Sequence, residues 1–320
     1  MKKQKTALIC GISGQDGALL AKLLINKGYR VIGSSRDAQF NSFNNLILLN
    51  IIDSVELISI SLNDFRSVVQ ALNRFRPDEV YNLAGQSSVS LSFEQPVETM
   101  ESIGLGTLNL LEAIRFIDPS IRFYNASSSE CYGNTPPDGA TESTPFKPRS
   151  PYAVAKATAF WQVANYRDSY NLHACSGILF NHESALRPRR FVTQKIIHTA
   201  IEIYKGSRSK LLLGNIDTKR DWGWAPEFVE AIWLMLQNKD PEDFVIATGH
   251  EMELRDFLSM AFSHLGLDWN RHVEIDDSLT RPSDISFSKG NALLAQQKLG
   301  WKPYIFGQKL VQEMIDCAIK

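Results

Sequence analysis

Apolar residues recur in two alternating patterns along the first half of the chain. Short runs rich in β-branched and aromatic residues predict strands, and stretches with apolar residues at helical spacing lie between them. The predicted strands are residues 7–10, 30–33, 56–59, 79–82, 122–125 and 174–179. The predicted helices are residues 18–24, 65–75, 107–116 and 153–170. This alternation predicts an α/β fold with a doubly wound parallel sheet.

The second half of the chain has a less regular pattern. Helical spacing predicts helices at 192–204, 226–237, 254–265 and 307–319, with strand-like runs at 211–213 and 244–246. No linker marks a boundary, but the pattern changes near residue 179. We therefore expect one domain over residues 1–178 and a smaller mixed α/β domain over 179–320, with some segments returning to the first.

Composition and charge are those of an ordinary globular enzyme. Apolar residues make up 44 % of the 320 residues and the formal net charge is −1, so neither nucleic acid nor a membrane is an expected partner. The apolar run after the basic start stops at Gly11, too early for a signal peptide, and no segment has the length of a membrane span. The four cysteines lack CxxC spacing and the six histidines lack metal-ligand spacing. We expect a cytoplasmic protein with reduced thiols and without a metal site.

A glycine-rich segment joins the first predicted strand to the first predicted helix. It consists of Gly11, Ile12, Ser13, Gly14, Gln15, Asp16 and Gly17. Its glycines permit a tight turn and close approach of the backbone to a pyrophosphate, and the helix amino terminus adds N–H groups and a positive dipole. The position between strand and helix favours a dinucleotide site in a Rossmann-type domain over an ordinary loop.

The end of the second predicted strand indicates which dinucleotide binds. NAD sites have a carboxylate there for the ribose hydroxyls, whereas this chain has Ser34, Ser35 and Arg36. A guanidinium and two hydroxyls suit the 2′-phosphate of NADP, so we expect NADP as the cofactor. Asp37 follows one residue later and leaves NAD open, and a surface arginine without any cofactor role is the other alternative.

Tyr152 and Lys156 lie four residues apart on one face of a predicted helix. A nearby ammonium stabilises a phenolate, so it should lower the pKa of the tyrosine and let it accept a proton near neutral pH. By itself this spacing is common and usually structural. Its place after a complete nucleotide-binding half favours a catalytic pair.

Three serines and a glutamate, residues 127–130, follow the fifth predicted strand. Residues just beyond the carboxyl end of a strand line the ligand crevice of a doubly wound sheet. Serine hydroxyls there can bind a sugar hydroxyl, and Glu130 can remove a carbon-bound proton. A helix-capping serine followed by a surface glutamate is an equally good interpretation of these residues alone.

Together these motifs resemble the extended short-chain dehydrogenases and, within them, the GDP-mannose 4,6-dehydratases. The resemblance runs nearly end to end, and its most specific parts are the NHES block at 181–184 and the KRDW block at 219–222. It implies a lyase, an NADP-dependent nucleotide-sugar 4,6-dehydratase. The implied reaction converts GDP-mannose to GDP-4-keto-6-deoxymannose by internal hydride transfer and elimination of water.

The resemblance also implies four catalytic residues. Ser128 falls on the family's catalytic threonine, Glu130 on its general base, and Tyr152 and Lys156 on its tyrosine and lysine. Tyr152 would take the proton of the sugar 4-hydroxyl while carbon 4 gives its hydride to NADP. Glu130 would then remove the carbon-5 proton and protonate the departing 6-hydroxyl, and the same hydride would return to carbon 6.

Further matches imply binding roles. The implied cofactor-binding residues are Gly11, Ser13, Gly14, Gln15, Asp16, Gly17, Arg36, Leu62, Leu83, Ala84, Gly85, Gln86, Ser87, His182 and Arg187. The implied substrate-binding residues are Ser88, Asn181, Lys195, Arg220, Arg281 and Asp284. Cations and arginine forks suit phosphate oxygens, although a solvated surface charge is the alternative for any one of them. We interpret Asp221 as a salt-bridge partner.

Departures from the family pattern leave alternatives open. Ser61 replaces an aspartate near the adenine, and Arg36 with Asp37 replaces a double arginine before a loop that is about one residue shorter. That loop helps to form tetramers in relatives, so a homodimer is expected as readily as a homotetramer. Residues 185–188 (ALRP) replace a PRRG run near cofactor and sugar, which leaves GDP-manno-heptose open as the substrate.

Two other functions compete with the dehydratase. An NADPH-dependent 4-keto-sugar-nucleotide reductase needs Tyr152 and Lys156 but has no use for Glu130 or the NHES block. A non-catalytic NADP-binding regulator on the same fold would lack the tyrosine–lysine pair, which is intact here.

Overall fold

The computed structural model describes residues 3–207, 209–279 and 283–319. The strands are β1 Thr6–Cys10, β2 Arg30–Ser35, β3 Val55–Ser59, β4 Glu79–Asn82, β5 Arg122–Ser128, β6 Ala174–Leu179, β7 Asn181–Glu183, β8 Leu211–Leu213, β9 Lys219–Trp224, β10 Phe244–Ile246, β11 Glu251–Glu253, β12 Val273–Ile275 and β13 Phe287–Ser288. The helices are α1 Gln15–Asn26, α2 Asn44–Leu48, α3 Phe65–Phe75, α4 Val89–Glu94, α5 Pro96–Met100, α6 Gly106–Ile117, α7 Pro151–Tyr170, α8 Val192–Tyr204, α9 Ala225–Gln237, α10 Leu254–His264, α11 Leu293–Leu299 and α12 Gly307–Ile319.

Seven of these strands form one parallel sheet in the order β10-β6-β5-β4-β1-β2-β3. From β1 the chain first builds outward through β2 and β3, then crosses over to β4 and builds outward through β5 and β6. The predicted doubly wound sheet of the Rossmann type is therefore confirmed. The strand order reverses between β1 and β4, and the crevice beyond their carboxyl ends is where such sheets bind ligands.

Helices cover both faces of the sheet because successive strand residues point to opposite sides. Leu8 belongs to the apolar cluster formed with α3 and α6, and Ile9 belongs to the cluster formed with α1 and α9. Both side chains are fully buried. The near-continuous apolar runs of the strands are thus explained by burial on two faces.

The start of α7 is held by a serine cap. The Oγ of Ser150 accepts a hydrogen bond from the backbone N–H of Ala153 at 3.1 Å. Pro151 occupies the first turn, where a missing N–H leaves no intrahelical bond unmade. These two residues place Tyr152 and Lys156 in the first two turns of the helix.

Beyond β6 the chain forms a second group of elements. Strands β7, β9, β11 and β13 make a small mixed sheet, and α8, α10 and α12 share an apolar cluster with β8 and β9. Two elements return to the central sheet, because β10 pairs with β6 and α9 packs in the cluster of α1. Within the described ranges, no helix combines the length and the apolar character needed to cross a membrane.

Candidate active site

A cleft of about 420 Å³ lies at the carboxyl edge of the central sheet, with walls from both groups of elements. Most of the predicted site residues line it, although they are far apart in the sequence. The predicted residues in its wall are Asp16, Leu83, Ala84, Gly85, Gln86, Ser87, Ser88, Ser128, Glu130, Tyr152, Lys156, Asn181, His182, Arg187, Lys195, Arg220 and Asp284. The fold therefore brings the predicted catalytic, cofactor and substrate groups to one place.

The glycine-rich segment forms the turn from β1 into α1. Gly11 has a φ of +86°, and a Cβ on it would stand 2.8 Å from the carbonyl carbon of Leu83. A Cβ on Gly17 would stand only 2.4 Å from the carbonyl oxygen of Gly11. Gly14 precedes α1 and has no side chain with which to cap the first-turn N–H groups. This turn has the close backbone packing and the open helix terminus that a pyrophosphate requires.

Seven of the described residues predicted for binding are not in the cleft wall. Five of them belong to the glycine turn, namely Gly11, Ser13, Gly14, Gln15 and Gly17, and Leu62 is buried in the core. The predicted Arg281 lies outside the described residues. Arg36 lies in the loop after β2 with its side chain 84 % exposed, and its Nη1 is 3.0 Å from Oε1 of Glu98. An ion pair this exposed holds its arginine only weakly, so the guanidinium can turn to another anion.

Asp16 and His182 form a buried pair in the cleft wall. The Nε2 of His182 is 2.9 Å from Oδ2 of Asp16, and its Nδ1 is 2.7 Å from the carbonyl oxygen of Phe180. Burial raises the pKa of Asp16, but the charge and hydrogen bond of His182 outweigh it and bring that pKa to about 2. Burial lowers the pKa of His182, and Asp16 outweighs it, so the pKa of His182 is raised. The Asp16–His182 contact therefore joins the glycine turn to β7.

Ser128 and Glu130 lie where β5 ends. The strand runs to Ser128, three residues past its predicted end, and a short 3₁₀ turn follows. The Oγ of Ser128 accepts a hydrogen bond from the backbone N–H of Glu130 at 3.3 Å, so this serine is a cap. Ser128 also hydrogen-bonds to Tyr152, and Glu130 lines the cleft. Ser128 is therefore both a cap for the short turn and a member of the cleft wall, so the two interpretations made from the sequence do not exclude each other.

Lys156 and Tyr152 meet on the cleft side of α7. The Nζ of Lys156 donates a hydrogen bond to the carbonyl oxygen of Ala126 at 2.7 Å, and burial lowers the pKa of this lysine to about 8. Burial also raises the pKa of Tyr152 well above its ordinary value, although the Ser128 hydrogen bond and the charge of Arg187 act to lower it. The lowered tyrosine pKa predicted from the spacing is therefore wrong, because desolvation of the phenolate outweighs the Ser128 hydrogen bond and the charge of Arg187.

Cations and an amide gather in the part of the cleft formed by β7, β9 and α8. Asn181 lies on β7, Lys195 in α8 and Arg220 on β9, and all three line the cleft. Arg220 is buried, and its Nη2 is 3.2 Å from Oδ1 of Asp284. A buried guanidinium oriented by a carboxylate is suited to binding a diphosphate.

Asp221 has a different role from the one predicted. Its side chain is fully buried, and its Oδ1 accepts hydrogen bonds from the N–H and Oγ1 of Thr248 at 2.9 and 2.6 Å. Its Oδ2 accepts from the N–H groups of Gly249 at 2.9 Å and Gly290 at 3.3 Å. The predicted salt bridge is wrong, since every hydrogen-bond partner of Asp221 among the described residues is uncharged. The carboxylate instead ties β9 to the segments after β10 and β13.

Sequence reasoning missed several residues of the cleft wall, among them Glu183, Arg190 and Asn215. Glu183 is buried, and its Oε2 is 3.6 Å from the Nε of Arg187. Its position inside the specific 181–184 block was a signal that could have found it. Arg190 and Asn215 lie between helices and strands, where no periodic pattern points to them.

Comparisons with known proteins agree with this geometry. A family model described as GDP-mannose 4,6 dehydratase matches residues 8–314. GDP-mannose 4,6 dehydratase 1 of Arabidopsis thaliana is 46 % identical over 328 residues, which cover 99 % of this chain and 90 % of the relative. GDP-mannose 4,6 dehydratase of Cricetulus griseus is 43 % identical over 344 residues, with 100 % and 92 % covered. Among solved structures, the UDP-glucose 4-epimerase of Thermus thermophilus complexed with NAD has a TM-score of 0.84 at 26 % identity, with 98 % of each chain covered.

Proposed function

The chain belongs to the family of GDP-mannose 4,6-dehydratases, and we propose that it converts GDP-mannose to GDP-4-keto-6-deoxymannose through bound NADP. The family predicted from the sequence motifs is thereby confirmed. One observation carries the choice of chemistry: Glu130 lines the same cleft as Tyr152 and Lys156. A reductase uses only a tyrosine–lysine pair, whereas elimination of water also needs a carboxylate that can take a carbon-bound proton.

The residues at the glycine turn fit a nicotinamide dinucleotide. Gly11 and Gly17 pack so closely that a Cβ on either would clash with backbone, and this packing permits the tight turn that ends at the amino terminus of α1, where N–H groups can meet a pyrophosphate. Arg36 supports NADP, because its exposed guanidinium is held by a weak surface pair with Glu98. When bound, the oxidised dinucleotide would accept a hydride from carbon 4, return it to carbon 6 and bring a positive ring charge to the site.

Tyr152 acts first, as the acceptor of the proton on the sugar 4-hydroxyl. The hydroxyl of Ser128 hydrogen-bonds to Tyr152 and orients the 4-hydroxyl of the sugar. Because burial raises the pKa of Tyr152, the phenolate needs nearby positive charge. Arg187 acts to lower that pKa, and the Nζ of Lys156 lies 5.8 Å from the ring centroid of Tyr152. Proton transfer from the 4-hydroxyl is therefore coupled to departure of the hydride from carbon 4.

Glu130 acts second, on a carbon made acidic by the new ketone. Its carboxylate removes the proton from carbon 5 and then gives that proton to the 6-hydroxyl, which leaves as water. One carboxyl group thus serves both transfers. When the hydride is returned to carbon 6, Tyr152 gives carbon 5 the proton that it took from the 4-hydroxyl, so the atoms balance without a further acid. The short turn over Ser129–Tyr132, capped by Ser128, fixes the backbone of Glu130 for this role.

The GDP end of the substrate lies against residues 179–320, which we propose as the predominantly sugar-nucleotide-binding domain. Lys195 and Arg220 pair with the diphosphate, and Asn181 donates a hydrogen bond next to them. Asp284 keeps the guanidinium of Arg220 in place through the 3.2 Å contact. Ser88 caps α4 in the cleft wall, where its backbone and side chain approach the sugar.

The test offers GDP-mannose and GDP-manno-heptose separately to the purified protein, without added cofactor, and follows the products by mass spectrometry. We expect GDP-mannose to lose one water with no net consumption of NADPH. Loss of water from the heptose alone would move the proposal to that substrate. Loss from neither would refute the dehydratase. A parallel reaction receives NADPH and a 4-keto sugar nucleotide, and net consumption of NADPH in it would favour the reductase.

Assembly and compartment complete the proposal. A π-helical turn over Glu101–Leu105 follows α5. Together with α5 and α7 it forms a face on which apolar side chains are exposed, namely Val97, Met100, Leu105, Val154 and Trp161. This face supports a homodimer or homotetramer, and light scattering of a Trp161→Glu variant should report smaller particles. Cys10, Cys131 and Cys175 are buried thiols, which supports the reducing cytoplasm as the site of the reaction.

A further inference from the structure

Asp16 and His182 connect the glycine turn to the strand that opens the second half of the chain. We infer that they form a carboxylate–imidazolium pair at neutral pH, and that His182 is a positioning residue for the cofactor turn. In this role its ring nitrogens do not donate to the dinucleotide. The inference rests on the proposed function only in assigning that turn to the cofactor.

The partners of the imidazole determine its charge. Nδ1 is 2.7 Å from the carbonyl oxygen of Phe180, and Nε2 is 2.9 Å from Oδ2 of Asp16. A carbonyl oxygen can only accept a hydrogen bond. The pKa of Asp16 is lowered, so its carboxyl group is ionised and also only accepts, and both ring nitrogens then carry a proton. An imidazole with two N–H groups is an imidazolium. Both of its N–H groups are used inside the protein.

The ring is also held in one orientation. Phe228 of α9 stacks on it with ring centroids 4.7 Å apart and an angle of 21° between the planes. The side chain of His182 is only 9 % exposed. Turning the ring over would break both hydrogen bonds inside a buried site, which is costly. The part of His182 that reaches the cleft is therefore carbon, and its contribution there is a fixed charge.

A second pair of hydrogen bonds runs beside the first. The Nε2 of Gln15 donates to the carbonyl oxygen of His182 at 3.2 Å, and the Oγ of Ser184 donates to Oε1 of Gln15 at 2.8 Å. Two consecutive residues of the first turn of α1 are thus tied to the segment 182–184. A turn rich in glycine has little side-chain packing of its own, so these bonds hold its position.

The opposite charges of Asp16 and His182 cancel next to the proposed pyrophosphate site. Asp16 lies in the first turn of α1, close to where the proposed pyrophosphate binds, and an unpaired carboxylate there would repel it. His182 cancels that charge. The other titratable groups that face the pair are Glu183, Arg187, Lys156 and Tyr124. The charge of Arg187 lowers the pKa of His182, so the proton stays on the ring because of Asp16.

The first experiment measures the charge directly. Nitrogen NMR of the full-length protein labelled in histidine, with His182→Gln to assign the signal, should show both ring nitrogens of His182 protonated at pH 7. Asp16→Asn should release that proton. Asp316→Asn is the matched control, because Asp316 pairs with His264 at 3.7 Å on an exposed surface. A neutral His182 ring in the wild-type protein would overturn the inference, whatever substrate the enzyme proves to use.

The second experiment measures NADPH affinity by fluorescence titration. Removing one member of a buried charge pair costs more than removing both. We expect His182→Gln to weaken binding by about tenfold or more, and Asp16→Asn added to it to recover part of that loss. Asp16→Asn alone should lose affinity as the pH rises through the ordinary imidazole range, while the wild type and Asp316→Asn stay flat. Additive losses in the double variant would show that the two residues act separately.

Discussion

The ammonium of Lys156 lies 5.8 Å from the ring centroid of Tyr152, one helical turn along α7. It is anchored by the carbonyl oxygen of Ala126 at 2.7 Å, so it acts on Tyr152 through its charge. The same burial that strengthens this charge interaction also makes each charged form expensive, because it lowers the pKa of the lysine and raises that of the tyrosine. The pair is therefore sensitive to pH.

The pH profile of kcat/KM should reveal Lys156. Burial lowers its pKa to about 8 from an ordinary 10.5, so the ammonium is lost as the pH rises past 8. We expect kcat/KM to fall above about pH 8 and to approach a tenfold loss per pH unit. The free energy of unfolding should change in the opposite direction. Between pH 8 and 10.5 the unfolded state binds more protons, so the wild type gains stability with pH relative to Lys156→Met. A flat kcat/KM across this range would contradict the assigned role.

Glu130→Gln should separate the two halves of the reaction. An amide cannot take the carbon-5 proton, so we expect loss of water to slow by about 10² to 10⁴. Oxidation at carbon 4 needs only Tyr152 and its neighbours, so the absorbance of reduced nicotinamide should still appear after mixing with GDP-mannose. Tyr152→Phe should abolish both signals, and Glu230→Gln on the exposed side of α9 should change neither. Dehydration that survives Glu130→Gln nearly unchanged would show that another group is the base.

The first half of the fold could be predicted because its signals are local. Helix α3 occupies the predicted residues 65–75, since Asp64 caps its start and Arg76 adopts the left-handed conformation at its end. Strands β7 and β9 were missed because they are short or polar, and Arg220 on β9 gives no alternating pattern. Their pairing is between distant segments, which periodicity does not detect.

The site was predictable where a residue type implies its chemistry. The Tyr152 and Lys156 spacing and the position of Glu130 after a strand pointed to one cleft, which these residues do line, but the family resemblance was needed to favour catalytic roles over structural ones. The environment of a carboxylate was not predictable, because it depends on distant partners. Asp221 illustrates this. The sequence suggested a salt bridge, but the carboxylate is buried and accepts a hydrogen bond from Thr248, which is 27 positions away.

Asp221→Asn should destabilise the protein without altering the catalytic groups. The new amide would place N–H donors against the N–H groups of Thr248, Gly249 or Gly290, which a carboxylate satisfies. Loss of buried hydrogen bonds to a charged group should cost about 2 to 4 kcal/mol in the free energy of unfolding. Denaturant titration can measure this cost, with Asp217→Asn on the exposed surface as the control. Equal stability of the two variants would mean that the loop from β10 adjusts to the amide.

We expect the choice between NADP and NAD to depend on Arg36, whose guanidinium is paired with Glu98 in the structure. The 2′-phosphate of NADP would have to draw the guanidinium away from the Glu98 carboxylate, 3.0 Å away. An exposed pair of this kind contributes at most about 1 kcal/mol, so Glu98→Gln should strengthen NADPH binding by no more than about fivefold. Arg36→Ala should weaken NADPH binding by about tenfold and leave NADH binding unchanged, with the difference shrinking at high salt. Titration of each variant with both nucleotides distinguishes a phosphate-binding arginine from a surface one, because a surface arginine would affect neither affinity.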